Sequence, residues 1–111
     1  MLNRVLFLKH IKRIYKMSLP SFEEYKLQHM ASGCTEVLVR DWEPNQIVGQ
    51  HSHPFTADAL MVHGEMWLTV GEQIQHLRVG ETFHLEANTL HQERYGSQGA
   101  TYWVARTNTS I

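Results

Sequence analysis

The chain lacks several things that would each point to a function. Its 111 residues include one cysteine, Cys34, so no disulfide can close within the chain. That usage suits a reducing cytoplasm, the location expected here. No apolar run approaches the roughly 20 residues that a membrane-crossing helix needs. Neither sign of charge dominates: 10 Lys and Arg against 11 Asp and Glu leave a net charge of −1. No basic patch interleaved with aromatics runs through the main body, which argues against a nucleic-acid partner. No glycine-rich loop resembles a phosphate cradle, and nothing matches a Ser-His-Asp arrangement with a plausible nucleophilic serine.

Histidine, by contrast, is abundant, with 8 copies. His51 and His53 are one residue apart, and His91 lies far downstream in its own strand-like segment. Alternate residues of a strand share a face, so His51 and His53 project together, about 7 Å apart along the strand. Neutral imidazole is the commonest metal ligand. A third imidazole from a facing strand completes three ligands and leaves positions open for water or substrate, as in a reactive centre rather than a closed structural one. Three neutral nitrogens suit iron, zinc, nickel, manganese or copper, and the donor set alone does not choose among these divalent metals.

The first sixteen residues stand apart. They carry Arg4, Lys9, Lys12, Arg13 and Lys16 and no acid. Their apolar stretch is too short for a signal-peptide core. The expectation is a basic extension, disordered or upstream of a true start at Met17, with a surface-bound amphipathic helix as the alternative. A single domain then spans residues 17–111. Ser21 and Glu24 form a capping-box pair, which predicts one short helix over residues 22–32, closed by Gly33. After Gly33 the pattern becomes alternating and β-branched. Segments 35–42, 47–53, 59–63, 66–70, 73–77, 82–85, 90–95 and 100–107 read as strands separated by turns at Gly64, Gly71, Gly80 and Gly96–Gly99. The fold class is therefore all-β, a small antiparallel sandwich or barrel over residues 35–107 with one N-terminal helix.

Within that frame the histidine pattern resembles the cupin superfamily, small jelly-roll barrels (double-stranded β-helices) that commonly hold one divalent metal. The first cupin motif maps onto Asn45, His51, His53, a carboxylate position at Ala57 or Asp58, and Gly64. The second maps onto Gly80, Glu86, Asn88, His91 and Tyr95. The resemblance covers Thr35 to Arg106 and is strongest to short single-domain bacterial cupins. Asn45 and Asn88 replace turn glycines, and asparagine tolerates the left-handed conformation better than most residues. Glu86 replaces a loop proline. The resemblance implies that His51, His53 and His91 bind the metal, with Asp58 as a further ligand if it points inward.

Glu93 shares the strand face of His91. It could complete the metal site, accept a hydrogen bond from a ligand imidazole, or act as a catalytic base. His63 lines the cavity if Ala57 sets the inward register, because the two share parity. Phe55 could cap the entrance, and Met61 and Tyr95 could line a pocket sized for a small ligand. The resemblance implies an oxygenase, isomerase or lyase acting on a small oxygenated molecule. The alternative is a non-catalytic binding or sensor module, and beyond that a metal-free jelly roll. Pairing through sheet edges implies a homodimer.

Overall fold

The computed structural model describes residues 18–108. The expected extension over residues 1–16 lies outside the described residues. Helix α1 spans Phe22–Ala31, and its N-terminus carries the capping box: Glu24 N donates to Ser21 Oγ (3.1 Å) and Ser21 N donates to Glu24 Oε1 (2.8 Å). These reciprocal bonds satisfy amides that a helix start otherwise leaves without partners. Gly33 follows with φ +100, a value that favours glycine, and turns the chain into the sheet. Among the described residues no helix is long and apolar enough to cross a membrane.

Six strands follow: β1 (Glu36–Trp42), β2 (Ile47–His51), β3 (Phe55–Val70), β4 (Gln73–Arg78), β5 (Thr82–Leu85) and β6 (His91–Asn108). All pairings are antiparallel. The early part of β3 pairs with the late part of β6, and β1 and β5 flank that pair. The late part of β3 pairs with the early part of β6, flanked by β2 and β4. Two layers therefore share the same two long strands. Between them lies one core, with Met61 and Met66 fully buried and Leu68, Tyr95 and Ala59 nearly so. A smaller cluster seats α1 on the outer face, where Tyr25 is buried and its hydroxyl donates to the Asp58 carbonyl (2.9 Å).

The eight strands expected from sequence become six because two glycine-containing segments are bends, not turns. β3 runs through Gly64, and β6 runs through Gly96–Gly99. The β3–β6 register shifts between Met61 and His63 and again between Gly64 and Met66. Such irregularities let a strand pair turn a corner together without breaking apart. Asn45 and Asn88 hold φ values of 60 and 65, as expected for asparagines at turn-glycine positions.

Gly64 has φ +70, and a Cβ there would land against the Gly99 carbonyl oxygen. Neither the conformation nor the space admits a side chain. Gly64→Ala is expected to lower unfolding free energy by about 3 kcal/mol. Equilibrium denaturation measures this, and a loss of under about 0.5 kcal/mol would show that the shared bend is not tight.

Candidate metal centre

His51 ends β2 and pairs with His91, the first residue of β6. The β2–β6 register shifts between Val48 and His51, so the last part of β2 is irregular. His53 lies just beyond the strand. The Asn88 amide donates to its carbonyl (2.6 Å), tying that segment to the loop before β6. The three rings converge: His51 and His91 centroids are 4.2 Å apart, His51 and His53 4.8 Å, and His53 and His91 5.2 Å. One ligand nitrogen from each lies within 4.8 Å of the others. Around one ion at the usual 2.0–2.1 Å, nitrogens at octahedral or tetrahedral angles would be about 2.9–3.4 Å apart, so binding would draw the rings together by up to about 2 Å.

Two backbone carbonyls set the tautomers. His51 Nδ1 lies 2.7 Å from the Gly49 oxygen, and His91 Nδ1 lies 2.8 Å from the Thr89 oxygen. A carbonyl only accepts, so both Nδ1 atoms carry the proton. In the neutral rings each Nε2 is then a lone-pair donor, the arrangement by which a second hydrogen bond orients a metal-bound imidazole. Burial, followed by the neighbouring imidazoles of His51 and His91, pushes the pKa of His53 below its ordinary value. That ring is the more readily neutral, as ligation requires.

Glu93 completes the group. His91 and Glu93 are the buried polar or charged side chains among the described residues. Glu93 Oε2 faces His51 Nε2 at 3.5 Å and His91 Nε2 at 3.9 Å. Its other oxygen accepts from the Tyr95 hydroxyl (2.5 Å) and the Tyr102 hydroxyl (3.3 Å). Burial raises the pKa of both tyrosines, so they remain protonated donors. They hold one carboxylate oxygen and leave the other facing the imidazoles.

The site opens onto a cavity of about 210 Å³ between the layers. Phe55, Leu85 and Val104 give it apolar walls, and Arg40, Trp42 and Arg106 give it polar ones. Phe55 stacks on His53, with centroids 4.8 Å apart and planes 12° from parallel. Tyr95 bears on the site through Glu93, whereas Met61 is fully buried in the core and does not line the cavity. His63 does not line it either. The irregularity between Met61 and His63 breaks the parity on which that expectation rested, and His63 is exposed, bonded to the Gln98 carbonyl (3.2 Å).

Asp58 is also elsewhere. Ala57 takes the inward position, buried at 6% exposure, so its neighbour faces out. There Asp58 Oδ1 meets His84 Nδ1 at 2.6 Å, while His84 Nε2 meets Glu86 at 2.9 Å. Arg40 and Arg106 are cavity residues that the motif comparison passes over. The alternation of β1 held the signal, because Arg40 shares a face with Leu38 and Trp42.

No family profile and no curated protein matches the sequence. Solved structures do match the fold. The DMSP lyase DddQ from Ruegeria pomeroyi DSS-3 superposes with a TM-score of 0.62 at 16% identity, over 67% of this chain and 38% of that one. KdgF from Halomonas sp. gives 0.60 at 12% identity, over 68% and 69%. An RmlC-like cupin from Shewanella frigidimarina NCIMB 400 gives 0.58 at 16%, over 68% of each. The matched part spans about 40% of the length of a DMSP lyase chain. The described residues thus have the cupin fold, mostly β with one short helix.

The outward histidine generates a pH prediction. Hydrogen bonds to Glu86 and then Asp58 raise the pKa of His84 above its ordinary 6.5. A raised folded-state pKa means that the contact stabilises fully below the unfolded value and fades as pH rises through the folded one. His84 is half exposed, so the effect is about 1 kcal/mol or less. Melting temperature should fall slightly from pH 6 to pH 9 and do so less in His84→Ala. Parallel curves would contradict the bridge.

Proposed function

We infer that the chain is a metal-dependent enzyme acting on a small oxygenated molecule, with His51, His53 and His91 holding one divalent transition ion. The observation that supports this most is the joint aim of the donors. Two Nε2 lone pairs are fixed by carbonyls at the far side of their rings, and Glu93 Oε2 faces the same point. Iron, zinc, nickel, manganese and copper all accept this donor set. When bound, such an ion polarises a carbonyl, activates water or, if redox-active, supports oxygen chemistry. The residues themselves do the rest. Glu93 completes the ligand set or takes a proton from the substrate. Tyr95 and Tyr102 position that carboxylate, and Phe55, Leu85 and Val104 exclude water. Oxygenation, isomerisation and lyase chemistry all fit, and DMSP lyases with this fold keep the last in view.

One observation favours a second reading, a non-catalytic binding or sensor module. Ala57 occupies the inward position where the first cupin motif carries its carboxylate, so this chain relies on Glu93 instead. A homodimer fits either reading, because β1, β2, β4 and β5 each pair on one side only.

Elemental analysis of the purified chain should find one ion per chain. His51→Ala and His91→Ala should each weaken metal retention by at least about tenfold. Glu93→Gln, nearly the same size, should keep most of the metal and lose turnover in assays with diols, diketones and thiols. Unchanged metal content in both histidine variants would remove the centre. Turnover absent with every metal would favour the binding module.

A further inference from the structure

Two guanidinium groups, Arg40 and Arg106, line the cavity that holds the three imidazoles. Each lies over an aromatic ring of the same wall: Arg40 over Trp42 at 5.0 Å and Arg106 over Phe55 at 4.5 Å. A guanidinium held over a ring in this way loses little freedom when it binds a planar partner. Arg106 also reaches Glu36 through one terminal nitrogen at 3.3 Å. Among the described residues Arg40 forms no ion pair with a carboxylate.

The same wall holds two buried donors without acceptors, Arg106 Nε and Trp42 Nε1. The Tyr102 hydroxyl lies near the indole nitrogen but does not reach hydrogen-bond geometry. Folded proteins pair nearly all such groups, so two orphans on one cavity wall are donors that an arriving acceptor can satisfy. Among the described residues Glu93 is the one carboxylate lining the cavity, and two tyrosines already bond it. A divalent ion would add to the positive excess.

We propose that the ligand of this cavity is a small carboxylate, its anionic end read by Arg40 and Arg106 while its remainder faces the histidines. The inference rests on the reading of the cavity as a reaction site and narrows its substrate class. Size argues for a short molecule, because about 210 Å³ falls below the usual range of ligand pockets. Forked guanidiniums match a planar carboxylate in two-bond geometry. Phosphate sites typically add a helix N-terminus or a cradle of backbone amides. The described helix packs instead on the outer face.

Calorimetric titration of the full chain, zinc-loaded and after chelation, tests this with malonate, succinate, their diamides and inorganic phosphate. The dicarboxylates should bind at least about tenfold more tightly than the diamides and more tightly than phosphate. Arg40→Gln should erase about tenfold of that preference while zinc stoichiometry stays unchanged, and Arg106→Gln should do the same if it folds. Equal affinity for diamides and dicarboxylates, tighter binding of phosphate, no binding of any probe, or an undiminished preference in Arg40→Gln overturns the proposal. The two readings fail separately. Zinc retained without a charge preference sinks the carboxylate alone. A charge preference that depends on Arg40 in a chain that never holds zinc sinks the metal centre alone.

Discussion

Two long strands, β3 and β6, pair along nearly their whole length and turn together where Gly64 meets Ala100. Each therefore serves both layers. The early part of β6 carries His91, Glu93 and Tyr95, and its late part carries Tyr102, Val104 and Arg106. Only the shared bend lets two stretches of one strand face each other across a single cavity. Pairing holds the strands in register on either side of it, so the bend fixes distances as well as direction. Gly64 makes the bend sharp, and the positive φ of Gly99 answers it on the partner strand.

On that frame sits a polar cluster in an otherwise apolar interior. Burying a carboxylate or an imidazole costs free energy unless its hydrogen bonds are replaced. Here the replacements are specific. Two tyrosine hydroxyls satisfy one oxygen of Glu93, and backbone carbonyls satisfy the far nitrogens of His51 and His91. The Nε2 atoms of His51 and His91 and the second oxygen of Glu93 are left facing one another at 3.5 and 3.9 Å, beyond close hydrogen-bond range. A cluster serving stability alone would be expected to pair those atoms too. A divalent ion would satisfy them together and offset the crowding of polar groups in the interior.

Much of this was legible in the sequence, and the failures have physical causes. Ser21 with Glu24 announced the helix, the positive-φ asparagines announced two turns, and the spacing of His51, His53 and His91 announced the trio. Strand alternation went wrong wherever the ladder was irregular. A register shift after Met61 turned His63 outward, and the β3–β6 bends at Gly64 and Gly99 looked like turns, because glycine marks both. Alternation alone also left Ala57 and Asp58 undecided, and only the pairing with β5 and β6 sets Ala57 inside. Glu93 was legible from its parity with His91, but its tyrosine partners were not. The Tyr102 contact crosses a bend that the sequence does not reveal. Arg106 escaped notice for a similar reason: a charged residue near the end of a last strand ordinarily faces solvent.

The central claim concerns what the three imidazoles hold, and X-ray absorption at the metal edge of the zinc-loaded chain tests it most directly. The account predicts a first shell of nitrogen and oxygen donors at about 2.0–2.2 Å, with the outer-shell scattering of three imidazole rings. A shell containing one imidazole or none would contradict it.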